Sequence, residues 1–372
     1  MRLLYVSDVY FPRVNGVSTS IRTFRADLAA CGVESLLVAP DYPGRIESPD
    51  EPDLLRISSG AVPADPEDRR MHWRALNRAL DALPPKAFDV VHVQTPFIAH
   101  YAAARFARRR GLPCVATYHT FFEEYLHHYV PALPRRIGRV LARSFTRSQC
   151  RDLQALIAPS EPMQAMLLEY GVSAPIHVVP TGLPTDRFAP GDGLRFRTRM
   201  GIEPDRPVLT YVGRVAHEKN IAFLVQAFTA VLHRVPRALF VIAGEGPARA
   251  SLQSLVSRMG LDEAVCFTGY LDRDEGLLDC YAAADVFVFA SRTETQGLVL
   301  LEALAQGTPV VSTAELGTRS ILVGDCGALV VPEDVEAFAS AAASILENPQ
   351  LRHRLSERAR EHALRWSSLA MA

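Results

Sequence analysis

The stretch Thr293–Pro309, TETQGLVLLEALAQGTP, sets two carboxylates, Glu294 and Glu302, eight residues apart around a glycine. The apolar run Asp285–Ala290 (DVFVFA) ahead of it predicts a buried strand, and Gly297 predicts the turn into a helix that follows. The first N–H groups of such a helix lack intrahelical partners and attract phosphate. Glu294 then belongs to the loop and Glu302 to the first or second helical turn, so both can face one cleft at different depths. Each carboxylate can accept hydroxyl hydrogens such as those of a sugar. Two glutamates at this spacing also occur on ordinary solvated helices, so the surrounding residues must carry the reading.

Outward from that turn, apolar strands alternate with helix-length segments. LLYVSD from Leu3, ESLLVAP from Glu34, DVVHVQ from Asp89, PCVATYH from Pro113, ALIAPS from Ala155 and IHVVPTG from Ile176 form a first series. VLTYVGR from Val208, ALFVIAGEG from Ala238, AVCFTGYL from Ala264, DVFVFAS from Asp285 and PVVST from Pro309 form a second. Continuous apolar strands separated by helices predict parallel sheets covered on both faces. The repetition predicts an α/β chain of two doubly wound, Rossmann-like domains facing each other across a cleft. Residues 1–182 form the first domain, 183–206 a Pro-, Gly- and charge-rich linker, 207–349 the second domain and 350–372 a helical segment. Ligands are expected outside the carboxyl ends of the strands of both sheets.

A chain of 372 residues with 48% hydrophobic composition fills two cores, and a net charge of −1 predicts no bulk attraction to nucleic acid. The start, MRLLYVSDVYF, has no basic leader, and no apolar run approaches the roughly 18 residues of a membrane span, so neither secretion nor spanning is expected. Cys31, Cys114, Cys150, Cys266, Cys280 and Cys326 include no Cys-x-x-Cys pair and read as buried thiols of a reducing compartment.

Other candidates fall at the same strand ends. Arg214 follows the strand Val208–Val212, and Lys219 stands at the mouth of the next helix, where two cations beside a helix N-terminus suit a diphosphate; surface charge is the plain alternative. Gly16, after the first strand, permits close approach to a ligand or simply a turn. Gly244 to Pro247 reads as mostly structural, with Pro247 opening a helix. His119 ends the strand around Thr117, where a neutral imidazole can bond a hydroxyl. Asp272-Arg273-Asp274 looks like a metal-binding Asp-x-Asp but reads better as a helix cap, and Glu123, Glu124, His127 and His128 match no standard metal spacing.

In order and spacing, YVGRVAHEKN, VIAGEGP, FTGYL, ADVFVFASRTETQGLVLLEALAQGTPVV and HVVPTGLPTDRF resemble the retaining glycosyltransferases of family 4, of the GT-B fold, from Tyr5 to about Arg365. VNGVSTSIR, DVVHVQTPF, ATYHTFFEEYLHHY and SRTETQGLVLLEA are similar to the subgroup of diacylglycerol α-glucosyltransferases. The resemblance implies that Arg214 and Lys219 bind the diphosphate of a nucleotide-sugar donor and Glu302 its ribose. It implies that Glu294 holds the transferred sugar and that His119 touches it near the reacting carbon. Thr295, Gln296, Gly297 and Leu298 would help at the phosphates, Gly16 would let a loop close on the diphosphate, and Gly269, Tyr270 and Leu271 would flank the base. By the same resemblance no metal or other cofactor is required, because the two cations supply the charge. Leu183-Pro184 and Ala290 depart from the family pattern, and relatives usually extend beyond Trp366 through a helix that returns to the first domain, so the crossover is expected to be shortened.

The acceptor is read from charge. Tyr101–Arg151 holds ten arginines against Glu123 and Glu124. Arg135, Arg139, Arg143, Arg147 and Arg151 recur at four-residue steps, with Ile137, Val140, Leu141 and Phe145 expected on the other side, which predicts a basic amphipathic helix. Such a helix suits an anionic membrane surface, at about 1 kcal/mol per arginine, or docks on the protein by its apolar side. Phe121, Phe122, Tyr125 and Tyr129 could receive an acyl chain or stack on a sugar. The reading is therefore glucosyl transfer from UDP-glucose to a membrane glycerolipid such as diacylglycerol, by a cytoplasmic protein peripheral on the inner face of the cell membrane. Mannosyl transfer from GDP-mannose to a lipid or glycan is the alternative, and a nucleotide-sugar-binding protein without transfer is the non-enzymatic one.

Overall fold

The computed structural model describes residues 1–43, 51, 53–62, 65–121, 135–273 and 275–371, which divide into two compact units, Met1–Thr181 and Gly182–Ala372. In the first unit the parallel sheet runs β3 (Leu54–Ile57), β2 (Glu34–Pro40), β1 (Arg2–Val6), β6 (Val90–Val93), β7 (Cys114–Thr117), β8 (Ala155–Ala158), β9 (Ile176–Val178). Leu4 pairs with Leu36 on one side and Val91 on the other, and Leu4 and Val6 are both fully buried. Consecutive residues point to opposite faces of a strand, so a strand buried on both faces needs an unbroken apolar run.

Two features of this unit escape hydrophobic patterning. β3 carries Arg56, whose guanidinium donates to the carbonyls of Pro40 and Phe11. β4 (Ser59–Val62) and β5 (Asp65–Met71) form a separate antiparallel hairpin whose second strand is mostly charged.

The second unit holds a parallel sheet in the order β12 (Val265–Gly269), β11 (Leu239–Ala243), β10 (Val208–Val212), β13 (Val286–Phe289), β14 (Val310–Ser312), β15 (Ala328–Val330). Tyr211, Phe287 and Phe289 stack through it, with ring centroids 5.9 and 6.0 Å apart. β15, at the edge and only half-buried, was not anticipated.

The stretch expected as a linker, 183–206, is built into this second unit. It contains a 3-10 turn, Thr185–Phe188, and a helix, Gly193–Met200, capped by the Asp192 side chain. Side chains at Gly191 and Gly193 would collide with the carbonyls of Leu278 and Ala282, so the glycines let two helices meet backbone to backbone. Arg195 and the Asp192 N–H both bond Asp279, and Arg197 donates to the Ala283 carbonyl. Polar anchoring of this kind leaves no apolar period to read. Beyond it, Leu183 N–H donates to Trp366 O at 2.7 Å and Ser368 N–H to Leu183 O at 2.9 Å, after the helix Pro349–Leu364.

Of the cysteines, Cys31 is exposed and Cys266 half-buried, against the expectation that all are buried. Cys31 ends the helix Gly16–Ala30, its N–H bonded to the Asp27 and Leu28 carbonyls, which leaves it at the exposed helix end and not on the buried face. Pro247 precedes the helix Arg249–Arg258 by a turn and does not open it.

Asp8, half-buried just after β1, accepts bonds from the Thr95 hydroxyl at 2.8 Å and the Ala99 N–H at 3.0 Å, at the start of the helix Ile98–Arg110. Burial pushes its carboxyl up to about 6, the bonds offsetting only part of the cost. Its folded value lies above its unfolded one, so the stability it contributes is full below about pH 4 and is lost as pH rises through about 6. Asp8→Asn keeps a carbonyl acceptor for Ala99, and urea unfolding at pH 4 and pH 7 should show the wild type losing about 2–3 kcal/mol relative to the variant across that interval.

Candidate functional site

In the second unit the candidate residues gather where β10 and β13 end. Gly297 adopts φ 101° before the helix Leu298–Ala305, a conformation that side chains rarely enter. The loop ahead of it is clamped by Gly317, whose N–H donates to Glu294 O at 2.9 Å; a Cβ there would lie 2.1 Å from Thr295 O. Gln296 and Gly297 are buried, and Thr295 and Leu298 are half-buried.

Glu294 Oε1 accepts from Lys219 Nζ at 2.5 Å, which joins the loop after β13 to the turn after β10. Arg214 Nη1 bonds Glu218 Oε1 at 3.2 Å, and the Tyr211 hydroxyl donates to Arg214 O, fixing the backbone there. Asn220, at φ 57°, ends the 3-10 turn His217–Lys219 and starts the helix Ile221–Arg234. Both cations are thus placed beside a helix N-terminus and already carry carboxylate partners.

Glu302 is not a solvated helix residue. It is 3% exposed, its Oε1 accepting from Arg273 Nη2 and its Oε2 from the Tyr281 hydroxyl, both at 2.9 Å. The buried carboxylate beside Tyr281 adds to desolvation in driving that phenol well above its usual range, so it stays a proton donor. Sequence reasoning missed both partners. Arg273 lay hidden inside the Asp-Arg-Asp string, and a tyrosine on an apolar helix reads as core.

Gly269 ends β12 at φ 74°, and a Cβ there would approach Glu245 Oε1 to 2.9 Å, where Glu245 is ion-paired with Arg249. Tyr270 is exposed and Leu271 packs half-buried on the core. Gly244 and Gly246 press against the Gly213 and Val215 carbonyls, in keeping with the structural reading. Asp272 Oδ1 accepts from the N–H groups of Glu275 at 2.9 Å and Gly276 at 3.0 Å, a helix cap; Asp274 lies outside the described residues.

In the first unit His119 lies two residues past β7, half-buried, with Nε2 3.1 Å from Gln94 Oε1. Burial lowers its imidazole to about 4, so it is neutral at physiological pH. Gly16 is the first residue of the helix Gly16–Ala30, with the Asn15 side chain accepting from Ser18 N; nothing crowds its Cβ position.

The basic helix Arg135–Cys150 is present, and of the two orientations open to it, it does not take the one that docks by the apolar side. Gly138, Ala142, Thr146, Gln149 and Cys150 are buried, whereas Ile137, Val140 and Leu141 are 50%, 64% and 50% exposed. Thr146 bonds the Tyr118 hydroxyl and Gln149 the Pro96 carbonyl, which fixes the small and polar residues inward and the large apolar ones outward. Arg143 pairs with Glu169 at 2.6 Å and lies over the Tyr170 ring, so its charge is engaged locally. Arg147 is exposed, its stem against Gly171, and Arg139 is exposed with partners of its own. Phe121 is half-buried; Phe122, Tyr125 and the rest of 122–134 lie outside the described residues, as does the Arg135 side chain. Among the described residues no helix is long and apolar enough to cross a membrane.

Comparison with known proteins places this geometry. The family Glycosyl transferases group 1 matches residues 194–362, and Glycosyltransferase Family 4 matches residues 14–187. The chain is 32% identical over 364 residues to an alpha-monoglucosyldiacylglycerol synthase of Streptococcus pneumoniae, covering 96% of this chain and 81% of that one. It is 31% identical to a GDP-mannose-dependent alpha-mannosyltransferase of Mycobacterium tuberculosis, over 89% and 84% of the two chains. A solved sucrose-phosphate synthase from Thermosynechococcus elongatus superposes with a TM-score of 0.81 at 21% identity, covering 100% of this chain and 96% of that one. The two parallel-sheet Rossmann-like units are those of the GT-B fold, and the chain belongs to glycosyltransferase family 4 and is a hexosyltransferase.

Proposed function

We propose that the chain transfers glucose from UDP-glucose to a membrane glycerolipid such as diacylglycerol, with retention of the α configuration. The observation that carries this reading is the assembly of Arg214, Lys219, Glu294 and Glu302 on the second unit, in a chain similar along nearly its whole length to a glucosyldiacylglycerol synthase. The departing nucleoside diphosphate needs its developing charge met by fixed donors. Arg214, Lys219 and the N–H groups following Gly297 take that role, the phosphate oxygens replacing the present carboxylate partners. Glu302 holds the ribose hydroxyls, Glu294 the hexose, and the departing phosphate accepts the acceptor's proton. His119 contributes a neutral hydrogen-bonding group beside the sugar. No divalent ion is required, because the arginine and lysine carry its charge. Mannosyl transfer from GDP-mannose is the second reading, favoured by the similarity to the mycobacterial mannosyltransferase.

Ile137, Val140 and Leu141, exposed on a helix that also exposes Arg136, Arg139 and Arg147, form the surface we assign to an anionic membrane leaflet. The acceptor lipid then meets the enzyme where it resides.

Three measurements check this reading. UDP should raise the melting temperature more than GDP does, since a ligand of the folded state alone stabilises it. The shift should shrink in Glu302→Ala and, by about tenfold in affinity, in Tyr281→Phe, which removes one of the two groups aiming that carboxylate. A guanosine preference would move the assignment to mannosyl transfer. Transfer should continue undiminished in excess EDTA, and a loss restored by magnesium would overturn the metal-free scheme. Sedimentation with anionic vesicles should fall with added salt and be abolished by Ile137→Ser with Val140→Ser and Leu141→Ser; binding indifferent to both would remove the membrane surface.

A further inference from the structure

Gln94 lies just past the end of β6, is 1% exposed, and has no place in the donor or lipid contacts assigned above. Its backbone N–H is held by Val6 O at 3.0 Å, so the side chain leaves a fixed point. Its Oε1 sits 3.1 Å from His119 Nε2, while its own Nε2 is buried with no partner among the described residues. A methionine or leucine would fill this space without stranding an amide donor, so the amide is explained by what it does for the histidine.

We propose that Gln94 is the positioning residue of His119: its Oε1 accepts the Nε2 proton, which fixes the ring and its tautomer and leaves Nδ1 as the lone-pair acceptor for a substrate hydroxyl. The inference rests on the reading that His119 faces the transferred sugar. An amide serves where a carboxylate would not, because it orients the ring without charging it. The surroundings agree. His92, on β6, is pushed down to about 3 by burial and by His119, and it bonds the Thr117 hydroxyl at 2.8 Å. A small cavity beside His119 is lined by His100 from the helix after β6, by Tyr118, and by Cys150 from the basic helix. Burial lowers His100, raises Tyr118 and pushes the Cys150 thiol up to about 12, so all three are uncharged at neutral pH. Asp8, the acid on the loop after β1, is engaged with Thr95 and Ala99. His92, His100, Tyr118 and Cys150 are therefore all uncharged around the neutral imidazole, and among these described residues Asp8 is the one acid, held by its own bonds.

The test is a long-range proton–nitrogen correlation spectrum of the full chain labelled at histidine, assigned with His119→Gln, alongside the pH profile of hexosyl transfer. Wild type should show His119 as the Nε2–H tautomer from pH 6 to 8 with a flat rate profile. Gln94→Glu should convert His119 to imidazolium at pH 7 and give the rate an acid limb falling about tenfold per pH unit below the new pKa, recovering in alkali. Gln94→Met, of similar volume, should give mixed tautomers and a lower kcat without an acid limb. An Nδ1–H tautomer in the wild type, or a His119 titration unmoved in Gln94→Glu, would overturn the proposal. Spectra changing as expected with transfer unchanged at every pH would uphold the role of Gln94 and remove His119 from the reaction instead.

Discussion

The second unit is organised around a carboxyl group placed where water hardly reaches. Glu302 is on the helix that Gly297 opens, and burying an unpaired carboxylate would be prohibitive; Arg273 and Tyr281 each take one of its oxygens. Removing one member of such a set costs about 3–5 kcal/mol, against about 0–1 for an exposed ion pair. The contact therefore fixes three segments at once: the turn after β12, the helix Gly276–Ala283 and the helix after β13. Arg273 is itself tied through its carbonyl to Arg187, on the 3-10 turn that opens the unit. The segment 183–206 is consequently part of the framework that aims Glu302 and not a tether beside it.

A second constraint is how closely the loops at the strand ends approach. Gly244 lies so near the Gly213 carbonyl that a Cβ would fall 2.0 Å from the oxygen, and Gly246 stands in the same relation to Val215. At φ 136° and 155° neither position suits a side chain in any case. These contacts bring the turn bearing Arg214 against the end of β11, and the Tyr211 hydroxyl bonds the Arg214 carbonyl from below. Backbone packing thus presets the position of the cation, whose side chain bonds Glu218.

Legibility in the sequence followed from which physical signal each element depends on. Buried parallel strands need unbroken apolar runs, so the central strands of both sheets could be read directly, whereas β3, interrupted by Arg56, and the charged β5 could not. That Glu294, Glu302, Arg214 and Lys219 stand at strand ends and helix starts could be read from the turn chemistry around Gly297 and before the helix after Asn220, while the roles given to them came from the family resemblance. The partners of these residues were not, because pairing of Glu302 with Arg273, or of His119 with Gln94, depends on distances between segments 25 or more residues apart in the chain that no local spacing encodes. The helix at 183–206 was missed because arginine–carbonyl and aspartate–N–H bonds hold it where an apolar stripe was sought.

The helix Arg135–Cys150 shows how the same periodicity supports two opposite orientations. A stripe of Ile137, Val140 and Leu141 opposite arginines suits either a membrane surface or a face that packs inward, the latter because apolar burial is the main drive to docking. The competing term is closeness: Gly138 and Ala142 permit an approach that bulky residues would prevent, while Thr146 and Gln149 find buried partners in the Tyr118 hydroxyl and the Pro96 carbonyl. Once those bonds decide the inner face, the large side chains can only point outward. Three half-exposed aliphatic residues within two turns on a surface that also carries arginine are costly in water alone. On the proposed reading with a glycerolipid acceptor, hydrocarbon and anionic headgroups replacing water together would remove that cost.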